Sequence, residues 1–208
     1  RINYGYRMVI TMMLISGLLS IVVIGVLFSN MLNYVNKVNA ADQAVKTCRI
    51  NVTAAARNVR EMALNPDKST YDDYEQGAKE KLEDVDVQLK TIKKSGIVPE
   101  NQYNEYSKAL SDWANTGYSI MDKIKAGQKD EAVDQIINEC TPKLNKTVEL
   151  AKEINKLADE RSHQAVVKTY VCAAVGLIVI IVCLTCAWRL TKRTGKLVLD
   201  TILEPLHA

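Results

Sequence analysis

Three arginines in one stretch of the sequence, Arg49, Arg57 and Arg60, are the residues best suited to bind a ligand. A guanidinium group presents a planar fork of N–H donors that binds a carboxylate through two parallel hydrogen bonds. Arg57 and Arg60 are three positions apart, so on a helix they project from one face, and Arg49 lies about two turns below them. The pattern fits a site for a small anion or carboxylate, and it equally fits arginines that contact only solvent.

Four further polar residues are candidates for the same site. If the helix that carries the arginines pairs with its copy in a homodimer, its side chains face a cleft between the subunits. Tyr71 and Tyr74 on the next segment, and Asn145 and Thr147 on the last one, are placed to add polar contacts there. Thr147 interrupts an apolar row, so it either contacts the ligand or donates its hydroxyl hydrogen bond to its own helix.

The sequence offers little for catalysis or metal binding. It contains two histidines, His163 and His207, and no cluster of His, Cys, Asp and Glu with the spacing of metal ligands. Paired carboxylates such as Asp72 and Asp73 are most simply solvated surface groups. We therefore expect no enzyme, no bound metal and no cofactor.

Two of the five cysteines, Cys48 and Cys140, lie outside the long apolar stretches, where a disulfide is one possibility. At about 1.5 Å per residue, Cys48 lies roughly 25 Å below the distal end of the first helix, and Cys140 lies roughly 15–18 Å below the start of the fourth. Bridged Cα atoms must come within about 7 Å of each other. Both cysteines also belong to apolar rows, so we favour packing in a core over a disulfide.

Two long stretches have no charged residue: the 29 residues 8–36 and the 20 residues 169–188. About 20 apolar residues span a bilayer, so both stretches predict transmembrane helices. The first stretch is too long for the core of a cleaved signal peptide, which indicates a retained anchor. The sequence starts without Met and stops at Ala208, and we expect it to be a segment of a longer chain.

The charges flanking the spans predict their orientation. Arg1 and Arg7 precede the first span, and four basic residues follow the second, so both ends are expected in the cytoplasm. Residues 37–167 hold 22 acidic and 20 basic residues, which argues against a nucleic-acid partner. The predicted segments are 1–7, cytoplasmic N-terminus; 8–32, first transmembrane helix; 33–167, extracytoplasmic domain; 168–188, second transmembrane helix; and 189–208, cytoplasmic linker.

Heptad repeats divide the middle region into four helices with breaks at 65–69, 95–99 and 126–127. The first segment carries two apolar rows: Val38, Val45, Val52 and Val59, and Ala41, Cys48, Ala55 and Met62. The other segments carry similar rows: Ala78, Leu82, Val85, Leu89 and Ile92; Tyr103, Tyr106, Leu110, Trp113, Ile120 and Ile124; and Val133, Ile137, Cys140, Leu144, Thr147, Ala151, Ile154 and Ala158. We predict an all-α, membrane-anchored, antiparallel up-down-up-down four-helix bundle. Its first and last helices continue into the two spans, and Pro142 should bend the last one.

The C-terminal residues add a family resemblance. The basic run 189–193 leads into Ile202-Leu203-Glu204-Pro205-Leu206, which resembles the start of a HAMP linker. By architecture, all 208 residues resemble the N-terminal part of a bacterial methyl-accepting chemotaxis receptor of the four-helix-bundle sensor class. The resemblance implies a homodimer in the cell membrane, sensing a small molecule and acting through a missing cytoplasmic region on a coupling protein and a histidine kinase. In that family, arginines near the far end of the first helix hold an amino-acid carboxylate. Arg57 and Arg60 match by location but not by spacing.

Other functions fit the same sequence features. The same layout serves as the input half of sensor histidine kinases and of enzymes of cyclic-dinucleotide metabolism. A membrane-anchored bundle that only binds a protein partner would be expected to expose a large apolar patch. A channel or transporter would place ionisable residues within its spans, and neither charge-free stretch has an acidic or basic one.

Overall fold

The protein is described by a computed structural model that covers residues 2–203, with side chains for 7–193, 195 and 196. The linker-like end with Pro205, and His207, lie outside the described residues. Within residues 2–203 every element is helical and no strand occurs, which confirms the all-α prediction. The α-helices are α1 (Ile2–Asn33), α2 (Ala40–Leu64), α3 (Tyr71–Ser95), α4 (Glu100–Lys125), α5 (Lys129–Gln135) and α6 (Thr141–Leu203). The shorter elements are π-helical segments at Tyr34–Asn39 and Ile136–Cys140 and a 3-10 turn at Lys68–Thr70.

The chain divides into two compact units. One unit is Asn33–His163, and the other combines Arg1–Leu32 with Gln164–Ala208. Two helical stretches, Arg7–Leu64 and Lys129–Arg193, are long and apolar enough to cross a membrane by length and composition. Both of the charge-free sequences fall within these stretches.

The predicted apolar rows form the core of the unit Asn33–His163. The two predicted rows on α2 and its preceding π-helical segment contain eight residues. All eight are buried, and at most 4% of the surface of each residue is exposed. Trp113 and Tyr106 of α4 and Met62 of α2 are the largest fully buried side chains among the described residues. Burying side chains of this size stabilises a fold by about 1.5–3 kcal/mol each, so these rows hold the helices together.

Helices α2 and α3 make the closest pair in this unit. The Cys48 thiol donates to the carbonyl oxygen of Val85 at 3.8 Å, and the side-chain amide of Asn51 donates to the Asp84 carboxylate. Farther along, a Cβ atom on Gly77 would lie 2.7 Å from Nδ2 of Asn58. A larger residue at this point would therefore require the Asn58 side chain to move.

One predicted core position is wrong. Ile137 is 62% exposed, whereas Ala132 is fully buried and Ile136 packs against the core. The cause is the π-helical segment Ile136–Cys140, whose wider turn shifts the core positions of α5 and of the segment's first turn by one residue towards the N-terminus, from Val133 to Ala132 and from Ile137 to Ile136. From Cys140 onwards the predicted row is correct.

The π-helical segment lies immediately before Pro142. A proline has no N–H, so the carbonyl of Asn138 cannot receive the normal helical hydrogen bond from position 142. The backbone N–H of Thr141 instead bonds to the carbonyl oxygen of Ile136, and its hydroxyl donates to the same oxygen at 2.8 Å. The proline predicted to disturb this helix therefore coincides with a local change of helical type.

A lysine joins the end of α4 to the beginning of α3. The Lys125 ammonium donates to the Asp72 carboxylate at 2.8 Å and also to the Glu75 carboxylate. Lys125, and then Lys79, lower the pKa of Glu75 below its ordinary value by hydrogen bonding to the ionised form. Between α3 and α4, Gly96 ends α3 at φ +65°, a left-handed conformation that suits glycine.

In the other unit, α1 and α6 come into close contact at Gly176. A Cβ atom there would lie 2.7 Å from Cγ1 of Val23. Small residues of this kind allow the backbones of membrane helices to approach, which is the main source of packing between them.

Candidate functional site

A groove on the outer face of α2 contains two of the three predicted arginines. Its volume is about 470 Å³, and it is open to solvent. The lining residues are Arg49, Ile50, Thr53, Ala54, Arg57 and Val148. The five residues from α2 are spaced by one, three, one and three positions, so they share one helix face, and α6 contributes Val148.

The groove is positively charged. Arg49 and Arg57 are both exposed, and of the residues lining the groove none is acidic. Within the described part of the chain, no ion pair involves either guanidinium. An anion that enters the groove would therefore meet two cations that need not first release an internal partner.

The floor between the two arginines is mainly apolar. Ile50 is 65% exposed, and Ala54 and Val148 are half-buried beside it. The Thr53 hydroxyl donates to the carbonyl oxygen of Arg49 at 2.8 Å, so it keeps an acceptor lone pair for a ligand donor. The arrangement suits a molecule with an acidic group and a small apolar part.

Arg60 lies outside the lining of this groove. Burial raises the pKa of the Cys140 thiol above its ordinary value, and the Trp113 side chain and, less strongly, the charge of Arg60 oppose this rise. Arg60 thus acts towards the π-helical segment that contains Cys140. The structure pairs Arg57 with Arg49, eight positions apart, in one groove.

Thr147 and Asn145 occupy different environments on α6. Thr147 is 2% exposed, and its hydroxyl donates to the carbonyl oxygen of Leu144 at 2.7 Å. Asn145 is exposed on the outer side of the helix. Neither lines the groove, whose residue from α6 is Val148.

Tyr71 and Tyr74 surround the turn between α2 and α3. The Tyr71 hydroxyl donates to the carbonyl oxygen of Asn65 at 3.1 Å, and the Tyr74 hydroxyl accepts from the Asn65 side-chain amide at 3.5 Å. Tyr71 is 7% exposed and belongs to the core. In this structure both tyrosines stabilise the turn.

Sequence reasoning missed the apolar residues of the groove. Ile50, Ala54 and Val148 were not selected because they carry no charge, and Ile50 lies off the buried row. Their sequence positions do indicate the groove: Ile50 follows Arg49, and Ala54 lies three residues before Arg57. On a helix these spacings place Ile50 and Ala54 on the same face as the two arginines.

The two cysteines of this unit are buried and free, as core packing predicts. Burial raises the pKa of the Cys48 thiol to about 12, and burial also raises the pKa of Tyr106 beside it. Both groups stay protonated near neutral pH, and neither is available as a nucleophile. Among the described residues, no group of three or more His, Cys, Asp or Glu side chains is placed to hold a metal ion.

Comparison with known proteins gives one match. A family model described as a four helix bundle sensory module for signal transduction matches residues 1–170. No curated protein and no solved structure matches the chain. The matched residues include the whole unit Asn33–His163 and all the groove residues.

Proposed function

Because the chain belongs to the family of four-helix-bundle sensory modules for signal transduction in chemotaxis receptors, we propose that it is the sensing and membrane-spanning part of a chemoreceptor. A receptor of this family signals to cytoplasmic partners and is not an enzyme. The proposed ligand is a small carboxylate or other anion bound outside the cytoplasm.

The bundle is proposed to be antiparallel. Along α2 and α3 the partners run in opposite order, since Cys48 contacts Val85 and Asn58 approaches Gly77. The same opposite order links α3 to α4: Lys93 lies 5.5 Å from the Tyr103 ring, whereas Lys125 near the end of α4 meets the start of α3. Short connections between consecutive helices require this arrangement.

The membrane arrangement is supported by the two apolar helical stretches and by the flanking charges. Both termini would lie in the cytoplasm of a two-pass protein of the cytoplasmic membrane. The proposed segments are those of the charge pattern: 1–7, 8–32, 33–167, 168–188 and 189–208, the last being a linker into a HAMP region.

The single observation that carries the ligand proposal is the groove between Arg49 and Arg57. Two exposed guanidinium groups face one cavity with an apolar floor and no acidic lining residue. Hydrogen bonds to charged groups contribute about 1.5–3 kcal/mol each, so the two guanidinium groups would supply a substantial part of the binding free energy of an anion. Polar groups from Arg60, Asn145, Thr147, Tyr71 and Tyr74 would contribute only if the ligand-bound bundle repositioned them.

A second copy of the chain is proposed to cover the groove. The groove is open on its outer side, and Ile50 in its floor is 65% exposed. A homodimer that pairs α2 with its copy would bury this residue and place two pairs of arginines around one cleft. Binding would then favour one arrangement of the dimer, as required for any ligand that switches a receptor.

The signal would leave through α6. This helix runs from Thr141 in the bundle to Leu203, beyond the second apolar stretch. Val148 places α6 at the groove, so a ligand there can shift this helix by the 1–2 Å that is typical of helix switching. The cytoplasmic partners are proposed to be a coupling protein and a histidine kinase.

The test is a thermal-shift screen of the full chain in detergent against carboxylates, amino acids and phosphate esters. A ligand at about 100 times its dissociation constant stabilises the protein by about 2.7 kcal/mol, which gives a measurable shift. The variants are Arg49→Gln and Arg57→Gln, each expected to weaken a hit by about 10-fold or more. Arg60→Gln is the matched control, because it removes an exposed arginine of the same helix that does not line the groove.

Binding retained in both groove variants would overturn the groove as the site. Binding lost in Arg57→Gln and in Arg60→Gln but kept in Arg49→Gln would instead favour the pair Arg57 and Arg60. A well-folded protein with no small-molecule hit in a broad screen would contradict direct sensing and favour recognition of a protein partner.

A further inference from the structure

Four basic residues form a continuous face near the end of α6. Arg189, Lys192, Arg193 and Lys196 are spaced three, one and three positions apart, so they lie on one side of the helix. All four are exposed, and together with Leu190 they line a surface groove of about 440 Å³. We call these four residues the basic face.

No acidic residue lies within the basic face or on the chain before it as far back as Glu160. The sequence has no Asp or Glu between Glu160 and Asp200. In the part of the chain that the structure describes, none of the ion pairs includes a residue of the basic face. Four positive charges concentrated on about two turns of helix repel each other, so an anionic partner stabilises them.

The residues just before the basic face are apolar and end in a tryptophan. Trp188 is 66% exposed, and the Lys192 ammonium lies 5.5 Å from the centre of its ring. Residues 169–188 contain no charge and belong to a stretch able to cross a membrane. Tryptophan is enriched at the level of lipid headgroups, where an apolar core meets water.

We propose that the basic face is a binding site for the phosphate headgroup of an anionic membrane phospholipid. The proposal rests on the membrane arrangement proposed above. The two arginines, four positions apart, supply forked donors for the phosphodiester oxygens, and the two lysines supply point charges. The acyl chains of the same lipid lie along the apolar residues that precede Trp188.

A lipid fits this site better than a soluble phosphate because the site combines the basic face with the apolar helix surface that precedes Trp188. A free phosphate would use only the basic face, at an exposed position where water competes for every donor. A phospholipid also buries its chains against the apolar helix, and its headgroup is held at the level of the basic face by the bilayer. Basic residues next to a membrane helix each contribute about a fivefold preference for anionic lipid.

Lipid binding here would fix the depth of α6 in the membrane. A shift of this helix along its axis would move the basic face away from the headgroup layer. The anionic lipid content of the membrane would therefore alter the equilibrium between the signalling states of the receptor. The size of this effect would equal the difference in lipid-binding free energy between the states.

The experiment compares lipid retention by the full chain in detergent micelles that contain equal amounts of phosphatidylglycerol and phosphatidylcholine with identical acyl chains. Native mass spectrometry gives the ratio of the two lipids bound. The lipid-site variants are Lys192→Gln with Lys196→Gln, and Arg189→Gln with Arg193→Gln. Each pair is expected to lower the preference for phosphatidylglycerol by about 30-fold.

The matched control is Lys152→Gln with Lys156→Gln. It removes two exposed lysines that are also four positions apart on α6 but belong to the unit Asn33–His163. The control therefore changes the net charge by the same amount as each lipid-site variant and introduces the same residue type into the same helix. We expect the control to keep the preference of the unchanged chain. An equal loss in the control would show a non-specific effect of net charge and overturn the proposal.

Two further arms separate the remaining outcomes. Displacement of phosphatidylglycerol by millimolar inorganic phosphate would assign the site to free phosphate and overturn the lipid proposal. Insertion of the full chain into phosphatidylcholine vesicles, judged by resistance to alkaline extraction, tests the membrane arrangement itself. A chain that inserts but shows no preference between the lipids refutes the lipid site alone, whereas a chain that does not insert also refutes the proposed receptor topology.

Discussion

The change of helical register before Pro142 predicts opposite outcomes for two neighbouring isoleucines. Ile136 packs against the core and Ile137 is 62% exposed. Replacing a buried isoleucine by alanine costs about 2–5 kcal/mol, and Ile136 is only partly buried, so Ile136→Ala should cost about 2 kcal/mol. Ile137→Ala loses little buried area and gains helix propensity, so its effect should stay within about 0.5 kcal/mol. Ile154, 2% exposed on α6, supplies the fully buried reference.

The assay is thermal unfolding of the full chain in detergent, followed by circular dichroism. For a chain of this length, about 2 kcal/mol corresponds to a decrease of about 4–8 °C in Tm. Ile136→Ala should show this decrease, Ile154→Ala at least as large a one, and Ile137→Ala almost none. A larger decrease for Ile137→Ala than for Ile136→Ala would show that the uninterrupted heptad row is correct and that the π-helical register is not.

Three further predictions concern other parts of the molecule. Lys125 lowers the pKa of Glu75 in the folded state, so this pair stabilises the fold above the ordinary pKa of 4.5 and loses that contribution as the pH falls through the lower folded value. Lys125→Met should therefore flatten the acid side of a curve of stability against pH, and an unchanged curve would contradict this ion pair. Burial raises the pKa of Cys48 to about 12, so its thiol should resist iodoacetamide at pH 8 in the folded protein and react once the protein is denatured. Peptide mass spectrometry measures the labelling, and rapid labelling of the native chain would contradict the burial of Cys48. Gly176→Leu should separate α1 and α6, because a Cβ atom added at Gly176 would lie 2.7 Å from Cγ1 of Val23. Cysteine cross-linking between these helices in membranes should then decrease, and unchanged cross-linking would contradict this contact.

The sequence predicted the core of the bundle well because burial imposes a strict period. A residue every three or four positions must face the other helices, and on α2 this rule identified all eight buried residues of the two rows. The same rule failed at Ile137, because the rule assumes a uniform number of residues per turn. A π-helical segment adds one residue without any change in the apolar composition, so the period alone does not reveal it; Pro142 was the only local sign.

The arginine site was harder to predict than the core because exposed residues follow no packing rule. Arg57 and Arg60 were paired by their spacing along one helix, which ignores the neighbouring helix. The groove depends on Val148 of α6, and the contact between α2 and α6 is what places Arg49 and Arg57 around one cavity. Which of several exposed arginines share a cavity is a property of helix packing, and it requires the three-dimensional structure.

The buried threonine Thr147 is a less accessible ligand contact than the exposed arginines of the proposed site. The Thr147 hydroxyl is 2% exposed and already donates to Leu144 at 2.7 Å, so a ligand would have to break that bond and open the core to reach it. Leaving such a group unsatisfied costs about 1–3 kcal/mol, which a small ligand would need to recover. The guanidinium groups of Arg49 and Arg57 have no internal ion pair within the described structure and require no opening of the core. In the proposed receptor, a ligand would therefore bind first at the surface of α2 and would reach α6 through Val148, without disruption of the packed interior.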